Sequence, residues 1–145
     1  MRFLGHPVHP MLVHFPVALW TVATGAYVWI AVGAGDVAAV IASLANGAGL
    51  VMAILAMLAG ALELRTIDSQ SEAMQVAIWH MMIMATSWMC FVLALVLSLS
   101  TALDHATGQL AAAACAVAGF VLMSVGGWFG GRLVYEFGIA VKGKA

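Results

Sequence analysis

Imidazole is the side chain that both ligates transition metals and exchanges protons near neutral pH, and this chain has five: His6, His9, His14, His80 and His105. His14 and His80 stand out because both fall inside long apolar stretches, where an ionisable group is expensive and marks function by default. Pro10 suits the first turn of a helix, so His14 lies about one turn in, next to Pro16, which bends the axis. From His14 the helical repeat runs through Ala18, Thr21 and Gly25, a small and slightly polar stripe that predicts a face turned toward other helices. His80 lies six residues beyond Met74, where the third apolar stretch begins, or roughly 9 Å at about 1.5 Å per residue. The two rings are therefore expected at matched depth.

Two facing neutral imidazoles are a ligand set for haem iron, and a flat macrocycle needs room where side chains are small. Gly126 and Gly127, with Ala56, Ala59, Gly60 and Ser124, are expected to leave that slot, and Arg65 and Arg132, with Arg2, to pair with propionates. His9 is a weaker candidate ligand. A minority expectation is copper(I) held by His6, His9 and His14 with Met11, or by His80 with Met81 and Met84, since thioether and imidazole suit that soft ion. His6 and His9 otherwise belong to interfacial chain, and His105 to a polar turn. Glu63 lies closest to the expected slot and could take protons if a quinone bound there.

The elements that must position these residues are set by composition. Of 145 residues, 65% are hydrophobic and 8% charged, with mean hydropathy +1.09, against about 25% charged in soluble domains. This is a membrane composition. A net charge of −1 offers no basic field for nucleic acid. Cys90 and Cys115 sit inside apolar runs and suggest neither a disulfide framework nor a zinc site. No nucleophile–base pair, phosphate loop or carboxylate dyad points to a hydrolase or transferase, so the enzyme question stays open.

Stretches long enough to cross about 30 Å of hydrocarbon recur at about 11 to 34, 37 to 62, 75 to 103 and 109 to 131. Their short connections predict an all-α, antiparallel four-helix membrane bundle forming a single domain over residues 1–145. Arg2, Arg65, Arg132, Lys142 and Lys144 all fall on one side, so the positive-inside rule places both termini in the cytoplasm and the Asp36 and Asp104 turns outside. Tyr27, Trp29, Trp79, Trp128 and Tyr135 are expected in the interfacial belts. Asn46 is expected to face inward, one turn after Ser43. Spacings such as Ala45/Gly49, Ala56/Gly60, Gly126/Gly130 and Gly127/Gly131 suit close helix packing.

The segments His9-Pro10-Met11-Leu12-Val13-His14-Phe15-Pro16 and Gly130-Gly131-Arg132-Leu133-Val134-Tyr135-Glu136-Phe137-Gly138 resemble the opening and closing signatures of an uncharacterised bacterial four-helix membrane family, domain of unknown function twenty-two thirty-one. The resemblance spans essentially the whole chain and places His80 where that family has a histidine. It implies, by the Rieske-type and cytochrome c modules sometimes joined to members, a place in membrane electron transfer. Phe137 stands where many relatives have a second histidine. Residues and resemblance together predict a multi-pass protein of the bacterial inner membrane that transfers single electrons through a haem b held by His14 and His80. A redox partner protein, a quinone or an oligomeric complex is its expected company. The rivals are a cofactor-free scaffold or assembly subunit, and a copper or small-solute carrier.

Overall fold

The computed structural model describes residues 2–3, 6–33, 35–100, 102 and 104–141, the side chains of residues 2, 3 and 6 excepted. Lys142 and Lys144, two of the charges used above for orientation, lie outside the described residues. A two-residue antiparallel ribbon, β1 (Arg2–Phe3) with β2 (His6–Pro7), precedes four helices: α1 (Val8–Ala31), α2 (Asp36–Leu64), α3 (Glu72–Leu99) and α4 (His105–Tyr135). Each helix is long and apolar enough to cross a membrane.

Local chemistry explains the ends. Pro10 occupies the first turn of α1, where its missing N–H costs nothing, and Gly33 ends that helix at φ +102°, a conformation that suits glycine. The Ser71 hydroxyl accepts from the Met74 N–H at 3.2 Å to open α3, and the Asp104 carboxylate accepts from the Thr107 N–H at 3.0 Å to open α4. Hydrogen bonds from Thr107 hold the Asp104 carboxyl below the ordinary carboxylate range. Beyond α4, Gly138 at φ +66° turns the chain so that the Ile139 N–H returns to the Leu133 carbonyl.

α1 packs along α2 and α3 along α4 as two tight hairpins, which join chiefly through α1 and α4 and more loosely through α2 and α3. α1 and α3 are thus diagonal, and their inward side chains meet over the bundle axis. The end where α1 and α3 begin is called here the near end, and the Asp36 and Asp104 turns mark the far end. At mid-height Trp20 of α1 and Phe91 of α3 stack at 4.4 Å with planes 8° apart. Their bulk is accommodated by α2 and α4: a Cβ on Gly49 would lie 2.6 Å from the Trp20 ring, and one on Gly119 would lie 2.9 Å from Phe91.

One expectation about α1 is corrected. His14, Ala18, Thr21 and Gly25 all lie on its exposed face, and the inward face is Pro16, Trp20, Ala23, Thr24 and Tyr27. The Thr21 hydroxyl donates to the Val17 carbonyl at 2.7 Å, so it satisfies itself along its own helix and does not require the interior. Without a hydrophobic drive between helices in lipid, close packing decides which face turns in, and large rings against glycine give more contact than a small stripe does. Tyr27, expected in an interfacial belt, is buried for the same reason. Trp29, Trp79, Trp128 and Tyr135 are exposed as belt residues would be. Asn46 faces inward as expected.

Candidate imidazole site

Near the terminal end, the histidine that meets His80 is His9. It occupies the second position of α1, pre-set by Pro7 and Pro10 on either side. Its Nδ1 lies 2.7 Å from the Ala56 carbonyl oxygen on α2. His80 on α3 repeats the arrangement, with Nδ1 2.8 Å from the Gly126 carbonyl oxygen on α4. A carbonyl can only accept, so each Nδ1 donates, and a neutral ring then carries its lone pair on Nε2. This is the outer-sphere arrangement that fixes the tautomer and orientation of metal-binding histidines and raises their basicity.

Glycine makes both seats possible. A Cβ on Gly60 would lie 3.0 Å from the His9 ring, and one on Gly130 would lie 3.2 Å from the His80 ring. Each imidazole therefore rests on a glycine one turn beyond the residue whose carbonyl it holds. Across the bundle the two rings stand 6.3 Å apart between centroids, with planes at 81°.

Behind this pairing is an internal repeat. Tyr27 and Ser98 are 71 positions apart and touch across the axis, Oη to Oγ at 3.5 Å. The same offset relates Trp20 to Phe91, which stack, and His9 to His80, which face one another. On the partner helices Gly49, Ala56 and Gly60 recur as Gly119, Gly126 and Gly130. The two hairpins are parallel repeats about an axis along the bundle, a plan in which sites form where the repeats meet. His14 has no counterpart histidine, since Ala85 occupies the equivalent position.

The other expected site residues fall as follows. His14 is exposed on the outer surface of α1, so it and His80 do not share the interior. Gly126 is buried and supplies the carbonyl for His80, whereas Gly127 and Ser124 face outward and line no slot. Arg132 pairs with Glu136 at 2.8 Å and lies over the Trp128 and Phe137 rings, at 5.4 and 6.0 Å from their centroids. Arg65 stands exposed at the end of α2. Glu63, half-buried, lies one turn beyond Gly60 on α2. His105 opens α4 at the far end and is exposed. Among the described residues no group of three His, Cys, Asp or Glu side chains could hold a metal ion, and Cys90 and Cys115 are free thiols. His9, expected only as a weaker ligand, is the ring that faces His80, and the offset it shares with Trp20 and Tyr27 is the signal for that pairing.

No curated protein and no solved structure matches the chain. Residues 5–143 match a family described as predicted membrane protein, DUF2231.

Proposed function

Because the chain belongs to the predicted membrane protein family DUF2231, with four helices able to span a bilayer, we propose that it is an electron-transfer protein of the membrane that binds a b-type haem through His9 and His80. The observation that carries this reading is the pair of rings 6.3 Å apart, each with Nδ1 committed to a backbone carbonyl and Nε2 left as the basic nitrogen. Rings this close could share one metal between their Nε2 atoms.

The donor set favours a metal that brings most of its own ligands. With no group of three His, Cys, Asp or Glu among the described residues, a four-ligand zinc site has no support, whereas a haem would ask only His9 and His80 of the protein. When bound, the haem would supply reversible one-electron chemistry. The protein's own contribution is the rest: Ala56 and Gly126 orient the rings, Gly60 and Gly130 set their depth, and the apolar helices exclude water. Arg65 and Arg132 stand at the same end and suit propionates, the latter already shared with Glu136. Both termini cytoplasmic, in a bacterial inner membrane, is the orientation that the positive residues favour. A redox partner would dock on that side.

Protein purified in mild detergent from haem-replete cells should show sharp reduced absorption bands. His9→Ala or His80→Ala should abolish them, while His14→Ala and His105→Ala should leave them intact. A colourless wild type, or pigment that survives His9→Ala, would overturn the assignment and leave the scaffold reading. A second reading rests on Met84, whose sulfur packs against Gly126, the residue that holds His80. His9, His80 and Met84 would be a soft set for copper(I) if their ligand atoms converge, and metal analysis of the purified protein decides between the two.

A further inference from the structure

We infer that the far half of the bundle holds a file of bound water molecules reaching from Gln109 to Asn46 and Trp20, a hydrated inlet independent of any cofactor at the imidazole pair. Three polar atoms in this region are buried without a partner: Trp20 Nε1, Asn46 Oδ1 and Gln109 Oε1. Their side chains are deep, with Trp20 1%, Asn46 0% and Gln109 8% exposed. In a hydrocarbon setting such an atom is costly if nothing reaches it.

Amide rotation does not relieve them. Asn46 Nδ2 donates to the Phe91 carbonyl at 2.9 Å and to the Tyr27 hydroxyl at 3.1 Å. Because a carbonyl only accepts, the nitrogen must stay there and Oδ1 must face away. The same logic fixes Gln109, whose Nε2 donates to the Ser98 carbonyl at 3.3 Å. Trp20 Nε1 lies against Gly49, one helical turn along α2 from Asn46. An indole donor and an amide acceptor are therefore both unpaired in one layer, and a water that accepts from the first and donates to the second satisfies both.

The polar groups continue outward. The Tyr27 hydroxyl, having accepted from Asn46, gives its own proton toward Ser98 Oγ, but at 3.5 Å, longer than a good hydroxyl–hydroxyl bond. Ser98 Oγ donates on to the Leu95 carbonyl at 2.9 Å. Gln109 then stands in the second turn of α4, toward the far end, with its oxygen unpaired. Toward the near end the inlet stops at the Trp20–Phe91 stack, which separates it from His9 and His80.

The test uses the whole protein in lipid nanodiscs with its tryptophan indoles labelled with ¹⁵N, the Trp20 resonance being assigned through Trp20→Phe. The Trp20 indole N–H should show direct exchange with water and should take up deuterium faster than the core amides of its own helix. Gln109→Leu, which closes the mouth at the loss of one hydrogen bond, should slow that uptake on the order of tenfold, and His9→Ala should leave it unchanged. A Trp20 N–H protected like the core amides with no water contact would overturn the proposal. So would uptake indifferent to Gln109→Leu but quickened by His9→Ala, which would mean entry from the other end.

Discussion

In the first hairpin a histidine at the start of α1 is held by the Ala56 carbonyl and seated on Gly60; in the second, His80 is held by the Gly126 carbonyl and seated on Gly130. Above that level the two halves part. Trp20 faces Phe91, Tyr27 faces Ser98, and Asn46 on α2 has Ala116 as its counterpart on α4. What both halves keep is the histidine seat and the glycine beneath each mid-height ring, Gly49 and Gly119. Donors cross between the halves in both directions, Asn46 to the Phe91 carbonyl at 2.9 Å and the Trp88 indole to the Leu50 carbonyl at 3.4 Å.

The glycines under the rings give the strongest check of this symmetry. Gly49→Ala drives a Cβ to 2.6 Å from the rigid Trp20 ring, and Gly119→Ala does the same at 2.9 Å from Phe91. Each should cost about 1–3 kcal/mol in detergent unfolding, and a large loss from one with none from the other would break the equivalence of the halves. Asn46→Ala removes the bond to the Phe91 carbonyl and should cost about 1–2 kcal/mol, whereas altering Ala116 to Ser should not restore it. Ser71→Ala removes the cap of α3 for about 1 kcal/mol and should leave any pigment unchanged. Gly126→Ala should cost less than about 1 kcal/mol, because its Cβ meets the flexible end of Met84 and not a ring; melting curves of the Gly49 and Gly126 variants side by side sharpen the contrast.

The smallest effect concerns the opening of α4. The Asp104 carboxyl is held below its ordinary range by Thr107, so its stabilisation is present at neutral pH and is lost as the pH falls through that lowered value. Asp104→Asn keeps a capping oxygen but no titration, and the acid side of its stability profile should be flatter than that of the wild type.

Four helices, their approximate ends and the inward turn of Asn46 were legible because hydrophobic length and capping residues act locally. The rotation of α1 was not. In a soluble bundle polarity tells the inner face from the outer, but here both faces of α1 are apolar. The exposed Thr21 hides its hydroxyl against Val17, so a stripe that looked interior faces outward. His80 turns toward the interior with Ser87 and Phe91, the residues on its own face; those two are buried and His80 is half-buried. His9 was placed behind His14 because two prolines made its surroundings look like loop, although the same prolines fit it to the first turn.

The segment between α2 and α3 lies at the end where both hairpins begin. Severing the chain there would give two fragments, each a complete pair of antiparallel spans and each with a single histidine at the shared axis. Neither fragment alone could complete a two-ligand centre. If the haem proposal holds, the two expressed together in one cell would take up colour only on finding each other in the bilayer, and the spectrum would then gauge reassembly.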